Sequence, residues 1–166
     1  MVSPFHWFNF FLHGNYRARF ISGAIVGAFV AVLGAISGFP ALAQSDKQAA
    51  EAAASHYLVS FDNEDLTDIY QNQLGPTFKQ AVTEKQFVQQ GGMVKIQWGG
   101  PAEARSLAGS QLFSQLPTGQ TGEFYYVRYK AKYPNGAIFQ DVYLEKVGAT
   151  WKVSGFWIFV APPGGG

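Results

Sequence analysis

The side chains that could do chemistry are few, and their spacing says more than their number. His56 is the only histidine after residue 43. A general base of that type needs its ring turned into a closed site. On a helix, however, His56 falls well off the apolar stripe of its neighbours and points to solvent. Asp62, Asp65 and Asp68 recur every third residue and would share a helical face. They could gather a cation, but carboxylates at a helix start also suit the positive end of its dipole. Capping is the expected role, with Asp62 or Asn63 as the cap. Asp141 and Glu145 share one strand face, and Arg128, Lys130 and Lys132 share a face of the preceding strand. Cross-strand ion pairs account for both sets. Arg105 could instead reach Asp141 and form a buried pair in a cavity of the sheet.

Aromatic residues give the other constellation. Tyr125, Val127, Tyr129 and Tyr133 alternate along one strand, and Trp151, Val153 and Trp157 along another. They make either solid core or an aromatic-lined cone between sheet and helices. The candidate ligand site on the second reading is Tyr57, Arg105, Tyr125, Tyr129, Asp141 and Trp157. Strand period predicts Tyr129 and Trp157 facing the helices and the basic set facing away, since burying three cations under the helices would cost too much desolvation.

Several classes are missing. There is no Ser-His-Asp set, no glycine-rich phosphate loop after a strand and no defensible pair of buried carboxylates. With no cysteine in 166 residues, disulfides and thiolate chemistry are excluded. No metal site or cofactor is expected. After residue 43 there are ten Lys and Arg against eleven Asp and Glu, a net charge of −1, which leaves no electrostatic footprint for nucleic acid.

The elements that hold these residues are readable in turn. Three strands, Phe124 to Tyr133, Ile138 to Val147 and Trp151 to Val160, are rich in aromatic and β-branched residues. Pro134-Asn135-Gly136 joins the first two, Asn-Gly being a strong hairpin signal, and Gly148-Ala149-Thr150 joins the last two. Glu103 to Leu116 reads as an edge strand with a bulge at Gly109, and Pro117 to Gly122 as a loop. Upstream, Ala50, Ala53, Ala54, Tyr57, Leu58 and Phe61 mark the apolar stripe of a helix from Asp46 to Phe61. A short second helix carries Leu66, Ile69, Tyr70 and Leu74 and is stopped by Gly75-Pro76. Thr83 and Gln86 form a capping box, and Val82 and Phe87 a hydrophobic staple, for a helix from Glu84 to Trp98. Gly91-Gly92 costs that helix about 2 kcal/mol relative to alanines and predicts a kink. Helices first and a four-stranded antiparallel meander second make an α+β fold.

The N-terminal segment has its own logic. Ile21 to Phe39 carries no charge and follows Arg17 and Arg19. Pro40 and Ala41-Leu42-Ala43 complete the pattern of a secretory signal peptide, cleaved between Ala43 and Gln44. The run is also long enough to span a bilayer, so an uncleaved anchor is the alternative. Either way residues 44–161 form one exported domain, periplasmic or secreted or held at the inner membrane, and residues 162–166 a frayed tail.

From Tyr57 onward the chain resembles the exported bacterial domain of unknown function family 4019. The residues that carry the resemblance are Tyr57-Leu58, Asp62, Tyr70, Phe87, Gly100, Arg105, Gly122-Glu-Phe124, Tyr129, Asp141 and Trp151-Lys-Val-Ser-Gly-Phe-Trp157. Tyr57 and Phe87 stand where that family usually has Trp, and Asp141 where it has Glu. The resemblance implies a curved sheet of cystatin-like or nuclear transport factor 2-like type and an envelope location, and no activity. The expected function is a non-catalytic domain binding a small apolar ligand or an envelope protein. The alternatives are an isomerase- or dehydratase-type enzyme with Asp141 or His56 as base, or a structural role in the envelope.

Overall fold

The computed structural model describes residues 40–115 and 120–160. All but residues 40–43 of the segment expected to be a signal peptide or anchor, and the C-terminal tail, lie outside them. Among the described residues no helix is long and apolar enough to cross a membrane.

Four helices precede four strands: α1 (Pro40–Asn63), α2 (Leu66–Asn72), α3 (Pro76–Ala81) and α4 (Glu84–Trp98), then β1 (Ala104–Gln115), β2 (Thr121–Tyr133), β3 (Gly136–Val147) and β4 (Thr150–Val160). The strands pair antiparallel in sequence order, so the α+β meander read from the sequence is the fold. The α1 stripe is also as read: Ala50, Ala54, Tyr57, Leu58 and Phe61 are buried. Helix α1 starts earlier than expected, and the Ala43–Gln44 bond lies in its first turns.

Two local expectations are corrected. The cap of α2 is Asp65, whose Oδ1 accepts from the Thr67 amide at 2.6 Å and the Asp68 amide at 3.4 Å; neither Asp62 nor Asn63 does this. Helix α2 ends at Asn72 with Gln73 as its cap, so Leu74 lies beyond it, beside Val153; Gly75-Pro76 instead opens α3, because proline suits the first helical position. Helix α4 has the expected capping box and runs from Glu84 to Trp98 as one element. Gly91 explains why the glycines are tolerated. A Cβ there would come within 2.9 Å of a Leu66 methyl and 3.3 Å of the Phe61 ring, so its absence lets α4 close onto α1 and α2.

The end of α4 fixes the β2–β3 hairpin. Gly99, at φ 80°, terminates the helix, and Asn135 of the hairpin donates through Nδ2 to the Gln97 carbonyl at 2.9 Å. At the far edge of the sheet the segment 73–75 runs beside β4. The Val153 amide donates to the Gln73 carbonyl at 3.0 Å and the Gly75 amide to the Val153 carbonyl at 2.7 Å. The core lies between the helices and one face of the sheet, with Val127, Val142 and Leu144 fully buried against Tyr57, Leu58 and Ile69.

Candidate functional site

The alternation of β2 places Tyr125, Val127, Tyr129, Ala131 and Tyr133 on the helical face and Tyr126, Arg128, Lys130 and Lys132 on the other. Tyr129 and the basic set therefore lie as expected. Trp157 does not. Tyr143 pairs with Gly155 but Leu144 with Val153, so Ser154 is an extra residue in β4. The bulge reverses the faces beyond it. Trp151 and Val153 belong to the core, Phe156 and Ile158 continue it, and Trp157 turns to the opposite side, across from Asp141.

The six sequence-derived site residues accordingly separate. Tyr57, Tyr125, Tyr129 and Arg105 are on the helical side, while Asp141 and Trp157 are on the other face. Arg105 does not reach Asp141. Two polar clusters form instead, one on each side.

On the helical side Arg105 donates through Nη2 to Asp62 Oδ2 at 2.7 Å and through Nε to Gln140 Oε1 at 2.8 Å. The Tyr133 hydroxyl accepts from Arg105 Nη2 at 3.1 Å and from Gln140 Nε2 at 3.0 Å, and donates to Asp62 Oδ1 at 2.8 Å. The Ala102 amide adds a donor to Asp62 at 3.1 Å. Asp62 thus belongs to a buried network rather than to a capping cluster. Burial first, and then the Asp62 charge, pushes the Tyr133 phenol up to about 12. A network this fully satisfied makes a rigid tie between α1, β1, β2 and β3. A second chain of contacts runs from Tyr125 through Ser110 to Glu51, with Tyr129 donating to the Glu51 carbonyl at 3.3 Å. Burial, then Glu51, raises the Tyr129 phenol.

On the other face Arg128 grips Asp141 with two bonds, Nε to Oδ1 and Nη2 to Oδ2, both 2.6 Å. This cross-strand pair is the one the sequence suggested. Tyr126 donates its hydroxyl to Asp141 Oδ1 at 3.0 Å. Aromatic rings frame the pair: the guanidinium lies 5.5 Å from the Phe139 ring, 5.8 Å from Tyr126 and 5.9 Å from Phe159. Tyr143 stands edge-on to Trp157 at 4.7 Å. The Asp141 hydrogen bond holds Arg128 in its charged form. Burial and then the Asp141 charge raise the Tyr126 phenol and, likewise, the Tyr143 phenol. Asp141 is 5% exposed, but Arg128 is 42% exposed and Phe159 47%.

Glu145 does not join the cross-strand pairs. Its carboxylate accepts from the Thr77 amide at 2.8 Å and hydroxyl at 2.6 Å, capping α3, whose own cap residue Gly75 has no side chain to offer. His56 is exposed, with Nδ1 3.3 Å from Gln73 Oε1. Among the described residues no three His, Asp or Glu side chains are grouped to hold a metal. Sequence reasoning misses Tyr126, Phe139 and Phe159 as the rings around Arg128 and Tyr143 as the partner of Trp157. Gly155 is the signal, because a glycine inside a strand pattern marks a bulge or a close approach.

The architecture and these two clusters define a small α+β domain whose buried polar groups tie elements together and whose sheet presents a half-exposed aromatic face. Residues 53–156 match the family described as protein of unknown function, DUF4019, and the chain belongs to that family. No curated protein matches it.

Proposed function

We propose that the protein is a non-catalytic binding domain, exported to the bacterial envelope, that recognises a protein partner through the sheet face opposite the helices. The observation that carries this is the Arg128–Asp141 pair, set among Phe139, Tyr126 and the 47%-exposed Phe159. Arginine and large aromatic side chains dominate binding energy where they can be desolvated at low cost. Here Asp141 already neutralises Arg128 and the rings already shield it, so covering them costs less than burying a free cation. The helical face does not offer the same: Tyr57, Val127, Val142 and Leu144 have no exposed surface, and the Arg105 and Asp62 charges satisfy each other.

The enzyme reading has less support. Asp141 takes three hydrogen bonds, and His56 is on the outside of α1. The test is a photo-reactive amino acid incorporated at Phe159 and, separately, at Ile96, which is 81% exposed on α4. In intact cells the probe at 159 should trap one defined envelope protein that the probe at 96 does not. Equal labelling from both positions, or a small molecule retained in native mass spectrometry with no trapped protein, would refute it.

A further inference from the structure

The two edges of the sheet are finished differently. At β4 the segment 73–75 bonds to both sides of Val153, and Lys152 donates to the Asn72 carbonyl at 2.6 Å. At β1 the described residues supply a partner, β2, on one side only. An open edge is normally blunted by outward charges, proline or bulges, and the bulges of β1 leave Gly109–Phe113 regular between them. From Ser106 to Gln115 β1 has neither charge nor proline, and its single charge, Arg105, is turned in to Asp62 at 2.7 Å. Leu107 and Leu112 are 49% and 60% exposed along this edge.

We infer that β1 is a self-pairing edge, and that two copies of this chain join antiparallel through it to make one continuous eight-stranded sheet. The regular part of β1 runs from Gly109 to Phe113, between two register shifts. A two-fold axis normal to the sheet at Gln111 keeps every residue on its own face. Gln111 meets its twin, and an amide both donates and accepts. Like charges directly opposite would destabilise such a pairing, and this segment contains none. Phe113 falls opposite Gly109 of the other copy, where a side chain would meet open space. Leu112 lies diagonally across from the second Leu112, on the helical side, so each leucine covers the other.

The absence of cysteine makes the test direct. Gln111→Cys in the purified full-length chain should oxidise to a covalent dimer, because opposite residues of antiparallel strands lie about 5 Å apart, within disulfide reach. Thr67→Cys, on the exposed side of α2, should remain monomeric. In the Gln111→Cys background, Leu112→Glu and Leu112→Lys should each reduce dimer yield at least tenfold alone and restore it when mixed. A Gln111→Cys chain that stays monomeric overturns the inference. So does a dimer that forms equally well with Glu at 112, or a mixture that fails to restore it. Circular dichroism of each variant must match the parent, and if Gln111→Cys does not fold, a chain with Gly109→Cys mixed with a chain with Phe113→Cys, opposite residues in this pairing, tests the same register.

Discussion

The indole of Trp157 lies over the backbone of Gly155, two residues earlier on the same strand. A Cβ at Gly155 would approach Trp157 Cζ3 to 2.5 Å. The two residues share a face by strand period, and the bulge at Ser154 makes it the non-helical one. Gly155→Ala should therefore displace the ring and cost about 1–3 kcal/mol, the usual penalty for overpacking. Denaturation curves give the energy, and tryptophan emission shows whether the ring has moved. Unchanged stability with unchanged emission would mean that the ring does not rest on Gly155.

Arg105 and Asp62, 13% and 5% exposed, should behave as a buried pair. Arg105→Ala is expected to cost about 3–5 kcal/mol, because it strands the Asp62 charge. The double variant Arg105→Met, Asp62→Leu should recover much of that loss. A double-mutant cycle in urea measures the coupling, and additive costs would show the two act independently.

Tyr133 makes the same network sensitive to alkali. Its phenol ionises at about 12 in the folded chain against 10.0 for the free group. The unfolded state therefore loses its proton first as pH rises. The stabilisation is complete below pH 10.0 and is lost as pH rises through about 12. Melting temperatures across this window should fall less steeply in Tyr133→Phe than in the parent. Equal slopes would remove Tyr133 from the effect.

The adjacent glycines of α4 should respond in opposite ways. A Cβ at Gly92 would meet nothing within 4 Å, so Gly92→Ala should stabilise by about 0.5–1 kcal/mol through helix propensity. At Gly91 the same gain is opposed by contact with Leu66 and Phe61, and the variant should be less stable than Gly92→Ala by about 1 kcal/mol or more. Identical melting shifts would show that α4 does not need Gly91 to pack.

Export is checked chemically. N-terminal sequencing of the protein recovered from cells should begin at Gln44, the residue after Ala41-Leu42-Ala43. A chain that begins at Met1 and stays with membranes would support the anchor instead.

The α1 stripe, the capping box at Thr83, the hairpin at Asn135 and the bulge in β1 are legible in the sequence because each rests on spacing within a few residues. The far half of β4 is not. Alternation carries Trp157 to the helical side, and a single inserted residue, Ser154, undoes it. Period-two reasoning has no memory of a bulge, and every residue beyond one changes face. Gly109 and Gly155 are alike in sequence, yet only Gly109 reads as a break, since Gly155 sits among strong strand formers. Asp62 is illegible for another reason. Its network partners Arg105, Tyr133 and Gln140 are 43, 71 and 78 residues away, and no local pattern distinguishes a capping carboxylate from one that reaches across the fold. Of the candidate site, the Arg128–Asp141 pair can be anticipated, and Tyr126 and Phe139 share its face by strand period, whereas Phe159 reaches that face only because of the bulge.

The clasp of Gln73 and Gly75 on Val153 sets the order in which the chain can mature. Synthesis delivers α1 to α4 before any strand, and Tyr57, Ile69 and Phe87 have no sheet to cover them until the strands follow. Contacts so distant in sequence form late, after their loop entropy has been overcome. A nascent chain halted before residue 153 would have β1 to β3 to lay on the helices but no strand for segment 73–75 to clasp. The chain therefore cannot lock this edge shut until its last strand has followed.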